Sequence, residues 1–233
     1  MPDQDQPIRI AALVPMRHNS ERVPNKNFRP FAGKPLYHWI INALLESDAV
    51  TEVVIDTDSP TIREQTQDAF PAVRVIERPA HLRAGEIPMN EVLLNTTKQI
   101  HADYYLQTHS TNPLLRPQTI DRAIAEFLAS RNTHDSLFGV TRWQTRLYDA
   151  DSNPLNHDPS VLMRTQDLAP IYEENSNIYI FDRTTLQERG NRIGHKPLLF
   201  QIDRLESLDI DDEEAFQLAE AVALAGLVHG DTP

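Results

Sequence analysis

Three observations predict an α/β fold for this 233-residue chain, with a mostly parallel sheet and helices on both faces. Its short apolar runs lack polar alternation, as strands covered on both faces do. Amphipathic segments of helical period separate those runs. The resulting strand–helix–strand repetition builds parallel sheets through right-handed crossovers. At this length the chain reads as one domain, 1–233, able to bury about 70% of its unfolded surface.

Residues 8–14 form the first buried strand. In 35–47, Leu36, Trp39, Ile40, Ala43 and Leu44 share a helical face, with Pro35 suited to the first turn. A second strand covers 52–56, and Ser59 caps a helix running to residue 70. A third strand at 73–77, a helix at 89–100 and a fourth strand at 103–108 follow. A helix at 117–130 leads to a fifth strand at 136–142. The rhythm stops after Trp143. Residues 143–174 are rich in Pro, Asn, Asp and Arg, and compact domains rarely leave some thirty residues idle. They read as an insertion that caps the site or reaches a partner subunit. Strands at 177–182 and 198–202 resume the pattern. The last helix, 212–227, opens on Asp-Glu-Glu, which suits its dipole, and turns Phe216, Ala219, Val222 and Ala223 inward. The whole is Rossmann-like, with ligands expected beyond the carboxyl ends of the strands.

Composition narrows the chemistry. With 34 acidic against 22 basic side chains and a formal charge of −12, the chain lacks the positive footprint of nucleic-acid binding. The absence of cysteine excludes disulfides, thiolate metal sites and a cysteine nucleophile. No run reaches the ~18 apolar residues of a membrane helix, and the polar start, Met-Pro-Asp-Gln-Asp-Gln-Pro, is no signal peptide. A soluble cytoplasmic protein is expected.

The loop at 15–34 runs against the acidic background. It carries Arg17, Arg22, Lys26, Arg29 and Lys34 but only one acid, Glu21. A cationic loop between a first strand and a first helix suits a polyphosphate, because Arg and Lys supply charge and the helix N-terminus supplies N–H groups. With seven glycines the chain has no G-x-G-x-x-G, and Gly33-Lys34 lacks the rest of a P-loop. There is no G-x-S-x-G elbow either. Asp209 and Asp211 stand two apart in an extended stretch, which puts both carboxylates on one face. Two hard oxygen ligands that leave room for phosphates suit Mg²⁺. Asp56 and Asp58 have the same spacing, but a strand-end turn explains them nearly as well. His18 and His109 read more simply as hydrogen-bonding residues than as acid–base groups. Trp143 and the Tyr104-Tyr105 pair read as packing.

Arg17-His18-Asn19-Ser20 and Pro24-Asn25-Lys26-Asn27, placed after a buried strand, resemble the opening motif of the acylneuraminate (CMP-sialic acid) cytidylyltransferases and related acidic-sugar CMP synthetases. The likeness continues in order through Asp56-Thr57-Asp58, Glu77-Arg78-Pro79, Thr111-Asn112-Pro113, Asn175-Ser176-Asn177-Ile178-Tyr179 and Leu208-Asp209-Ile210-Asp211-Asp212. It implies a nucleotidyltransferase-type fold and transfer of CMP from CTP to an acidic sugar, with Mg²⁺ as cofactor and release of pyrophosphate. It implies that Arg17, Asn19, Ser20, Arg22, Lys26 and Asn27 surround the nucleotide and that Arg78 approaches the cytosine. Arg17, Lys26, Asp209 and Asp211 would carry catalysis, and His109, Thr111, Asn175 and Asn177 would line the acceptor. It also implies a homodimer joined through 143–174.

The chain departs from the family pattern at three places. Glu21-Arg22 replaces Lys-Gly, Glu173-Glu174 stands where an arginine commonly meets the sugar carboxylate, and His109-Ser110-Thr111-Asn112-Pro113 replaces Gln-Pro-Thr-Ser-Pro. Two rival readings remain open at this point. One is a nucleotide-sugar-dependent glycosyltransferase using Asp56 and Asp58 as a metal-binding D-x-D. The other is a non-catalytic nucleotide-binding homologue.

Overall fold

The computed structural model describes residues 7–20 and 22–228. Glu21 and nearly all of the polar N-terminal stretch lie outside them. The chain runs β1 (Ile10–Met16), a two-stranded hairpin β2 (Pro30–Phe31) and β3 (Lys34–Pro35), α1 (Leu36–Glu46), β4 (Glu52–Thr57) and α2 (Pro60–Ala69). It continues through β5 (Arg74–Glu77), α3 (Met89–Thr97), β6 (Tyr104–Gln107), α4 (Pro117–Ser130) and β7 (Ser136–Trp143). The last elements are β8 (Ile171–Phe181), α5 (Arg183–Arg189), β9 (Pro197–Gln201) and α6 (Glu213–Leu224).

Seven strands form one sheet in the order β5-β4-β1-β6-β8-β7-β9. Parallel pairing joins β5, β4, β1 and β6 in sequence, and also joins β7 to β9. One strand breaks the expected direction: β8 lies antiparallel to both β6 and β7. The sheet is therefore mixed but mostly parallel.

The burial of β1 explains its unbroken apolar run. Ile10, Ala12 and Val14 pack in a cluster with α1 and α4, while Ala11 and Leu13 pack on the other face with Leu93 of α3 and Leu186 of α5. With both faces covered, no position along the strand tolerates a polar side chain. Ser59 caps α2 as expected, its hydroxyl accepting from the Ile62 amide. Asp212 likewise caps α6 through the Ala215 amide. Pro35 is the N-cap of α1 and lies outside its first turn.

A third cluster positions the site. Val23 and Phe31 from the basic loop pack with Leu36 of α1 and with Phe216, Ala219 and Val222 of α6. The loop is thus anchored at its base while its tip faces the carboxyl ends of β1, β4 and β6. Between β7 and β8 the register shifts from Phe138 to Val140, a bulge that admits the Asn175 side chain against the backbone. A Cβ on Gly139 would stand 2.7 Å from Asn175 Oδ1 and 2.9 Å from Ile202 Cδ1, so any larger residue must push these side chains aside.

Candidate active site

The crevice at the strand ends holds two adjoining recesses. The first, ≈ 280 Å³, is walled by the loop residues Arg17, Asn19, Ser20, Arg22, Lys26 and Asn27, by Arg78 and the 82–89 loop, and by His109, Ser110 and Thr111. The second, ≈ 440 Å³, is walled by Trp143, Glu173, Glu174, Asn175, Arg204, Asp209 and Asp211, among others. A larger groove of ≈ 640 Å³ beside α1 and residues 113–119 lies apart from the loop tip. Its cations are already engaged, Lys34 over the Trp39 ring at 4.0 Å and Arg116 on Glu206 at 3.1 Å.

The loop divides its five cations. Arg29 reaches away from the crevice to Glu213, at 2.5 Å, and covers the Phe216 ring. It and Lys34 hold the loop to the helices. Arg17 is exposed at the crevice and has no side-chain partner among the described residues. Arg22 pairs with Asp211 at 2.8 Å, so one residue expected on the nucleotide meets one expected on the metal. The helix N-terminus anticipated at the loop's end is set back by the β2–β3 hairpin. A single 3-10 turn, Lys26–Phe28, takes its place, entered through Asn25 at φ 57°. Asn27 is buried with both ends of its carboxamide engaged: Nδ2 donates to the Arg17 carbonyl at 2.8 Å and Oδ1 accepts from Ser110 at 2.6 Å. It shapes the loop from within the protein while still lining the first recess.

Lys26 joins the two recesses. Its Nζ donates to the Ile210 carbonyl at 2.6 Å, between Asp209 and Asp211. Burial lowers its pKa from the usual lysine value, and the two aspartates pull it back up. Burial pushes the Asp209 carboxyl up, the neighbouring Asp211 adds to this, and Thr111, Lys26 and Arg22 oppose it. Asp209 Oδ1 is buried without a hydrogen-bond partner among the described residues. A half-buried carboxylate with one unpartnered oxygen, beside a second carboxylate, fits a divalent cation whose remaining ligands are phosphate oxygens and water.

Arg78 is buried against Asp56. Its Nε donates to Asp56 Oδ1 at 2.6 Å and its Nη2 to the Asp56 carbonyl, while Thr96 donates to Asp56 Oδ2 at 2.7 Å. Nη1 has no hydrogen-bond partner among the described residues. Asp58 accepts from the His18 amide at 2.8 Å, and the His18 ring meets Ser59 Oγ. With Asp56 saturated and Asp58 holding the loop, the pair forms no D-x-D metal site, and the strand-end turn is the reading that holds.

A family model described as "Cytidylyltransferase" matches residues 11–227. The chain belongs to that family. It is 27% identical over 224 residues to N-acylneuraminate cytidylyltransferase A of Danio rerio, covering 91% of this chain and 50% of that protein. It is 28% identical over 225 residues to CMP-N,N'-diacetyllegionaminic acid synthase of Legionella pneumophila, covering 91% and 95%. The chain spans about half the length of the vertebrate relatives it matches. Among solved structures, a CMP:2-keto-3-deoxy-manno-octonic acid synthetase complexed with CTP superposes with a TM-score of 0.71 at 15% identity, covering 93% of this chain and 99% of that one. That likeness shows the nucleotidyltransferase fold.

The remaining expected residues of this cytidylyltransferase-family chain separate. Thr111 faces the first recess, and its carbonyl accepts from the Ile210 amide at 2.9 Å, tying the 109–113 loop to the aspartate segment. Asn175 borders the second recess while bonded to Thr141 Oγ1 at 3.2 Å. Asn177 does not reach the crevice. It is fully buried, and its Nδ2 donates to the carbonyls of Asn175 and Ser207, so its expected acceptor contact is replaced by a role in packing β8. Trp143, expected in packing, instead walls the second recess. It donates to Glu173 at 2.7 Å, and the Arg204 guanidinium stacks on its ring at 4.2 Å. Arg204 gave no signal in the sequence, since no motif surrounds it.

Proposed function

We propose that this chain transfers CMP from CTP to an acidic sugar and releases pyrophosphate. The observation that carries the reading is Lys26, placed between a cation-walled recess and a second recess bearing Asp209 and Asp211. An acceptor hydroxyl oxygen bonds to the α-phosphorus, the bond from that phosphorus to the bridging oxygen breaks, pyrophosphate leaves with that oxygen, and the hydroxyl proton is released. Little covalent chemistry falls to the protein, so positioning and charge neutralisation dominate. Arg17 and Ser20 bind the outer phosphates from the loop, Lys26 holds the transferring group, and Arg78 offers its free Nη1 to the base. Asp209 and Asp211 would hold Mg²⁺, which supplies neutralisation of phosphate charge.

The names of the relatives, with N-acylneuraminate, N,N'-diacetyllegionaminate and 2-keto-3-deoxy-manno-octonate, support an acidic 2-keto sugar as acceptor. Among the described residues no helix is long and apolar enough to cross a membrane. We place the reaction in the cytoplasm, where CTP is made. Residues 143–174 expose Leu162, Val161, Leu155 and Tyr148, and this apolar arm supports a homodimer.

The test is pyrophosphate release with CTP, UTP or ATP against a panel of 2-keto-3-deoxy sugar acids in Mg²⁺. We expect turnover with CTP and one of the acids. CTP binding without turnover across the panel would favour a non-catalytic homologue, and hydrolysis of a nucleotide sugar without pyrophosphate would overturn the reading.

A further inference from the structure

His109 stands where the family commonly has glutamine, and the hydrogen bonds behind it leave its ring only one arrangement. Arg192, in the segment after α5, reaches Gln107 of β6 with an Nη1–H donated to the carboxamide oxygen. A guanidinium has no acceptor, so that end of Gln107 must be oxygen. The NH₂ end then donates to the Thr108 carbonyl at 2.9 Å and to His109 Nε2 at 3.0 Å. Two donors cannot share one hydrogen bond, so Nε2 must carry its lone pair, and the neutral ring carries its proton on Nδ1. The ring's side-chain hydrogen bond among the described residues is the one at Nε2, which leaves Nδ1 to the first recess that His109 walls.

Arg192 is itself held in place. Its guanidinium lies over the Tyr179 ring at 3.5 Å, and the Tyr179 hydroxyl bonds Glu174, which walls the second recess. A chain of contacts, Glu174–Tyr179–Arg192–Gln107–His109, therefore runs behind the crevice from one recess to the other.

We propose that Arg192 and Gln107 are positioning residues that lock His109 as an uncharged Nδ1–H donor, directed at a neutral acceptor oxygen of the nucleoside rather than at phosphate. The donor's target rests on the CTP reading of the first recess; the lock itself does not. Arg17 and Lys26 already supply charge for phosphate, whereas an uncharged donor suits a ribose or base oxygen. A glutamine amide, which the family commonly places here, is also an uncharged donor.

The test is ¹⁵N NMR of the histidine-labelled full chain without nucleotide, with His109→Asn assigning the resonance. The expected spectrum shows Nδ1 protonated and Nε2 bare. Gln107→Glu keeps an acceptor for Arg192 but presents an acceptor to Nε2, so Nε2 becomes protonated. Gln107→Met removes the donor and loses the pure Nδ1–H form. A wild-type ring protonated on Nε2, or an unchanged Nδ1–H form in either folded variant, overturns the lock. Because no nucleotide is present, this outcome is independent of the CTP reading. The donor role is tested by titrating CTP and CMP into Gln107→Glu. Loss of one neutral hydrogen bond weakens both by about tenfold. A loss confined to CTP, or no loss, overturns the nucleoside assignment.

Discussion

The two recesses of the crevice are built from opposite charge. The first gathers Arg17, Lys26 and Arg78 at the ends of parallel strands, each cation placed by the loop or by a buried partner. The second is framed by the bulged antiparallel pair β7–β8 and carries Glu173, Glu174, Asp209 and Asp211, with Arg204 as the single walling cation among the described residues. Side-chain charge therefore matches a polyphosphate on one side only. For the proposed acidic acceptor, one stacked arginine would act in a negative surround, and recognition would depend on geometry more than on field strength.

The largest test of this contrast is Lys26→Met. It removes the half-buried cation that ties the first recess to the aspartate segment through the Ile210 carbonyl. Loss of a preorganised charge at the reacting phosphate lowers turnover by about 10²–10³-fold. Steady-state pyrophosphate release checks it, and Lys26→Arg recovers only part because a guanidinium cannot take the point-charge position. Activity within threefold of wild type would place the chemistry elsewhere.

Arg204→Ala sharpens the other half. It removes the acceptor-side cation and its stack on Trp143 without touching the first recess. The acceptor KM rises about tenfold, in the range of a charge-assisted hydrogen bond, while CTP affinity, followed by calorimetry, stays within twofold. An equal rise in both constants would mean that the recesses are one binding unit and the contrast is false.

How far the sequence announced this arrangement follows from the range of the contacts. β1, β4 and β6 were readable because two-sided burial leaves continuous apolar runs, and the Ser59 and Asp212 caps because capping is local. The direction of β8 was not readable, since periodicity carries no polarity. Its first residues, Ile171 to Glu174, are too polar to announce a strand. α5 escaped because it has seven residues and buries only Leu186. In the site, spacing placed Asp209 and Asp211 at one point but could not tell that Asn177 faces inward and Asn175 the crevice. Nor could it divide the loop, where Arg29 turns to Glu213 and only Arg17, Arg22 and Lys26 reach the crevice. Arg192 was invisible because its partner, Gln107, lies 85 residues away and no motif surrounds the arginine.

The smallest effect concerns the uncharged floor of the first recess. Burial, then Arg192 and Lys26, pushes the His109 pKa down to about 3. Its unfolded value is near 6.5, so between these limits the unfolded chain binds the extra proton. Its contribution to stability is full above about pH 6.5 and is lost as pH falls toward 3. His109→Asn removes that proton-linked loss. The unfolding free energy from urea melts should fall less between pH 7 and 4.5 in the variant than in wild type, by on the order of 1 kcal/mol after allowing for a ring only partly withdrawn from solvent. Parallel falls in the two proteins would show that the ring takes up its proton within the folded recess. The nucleotide side would then gain a cation on acidification, and the difference in charge between the recesses would widen.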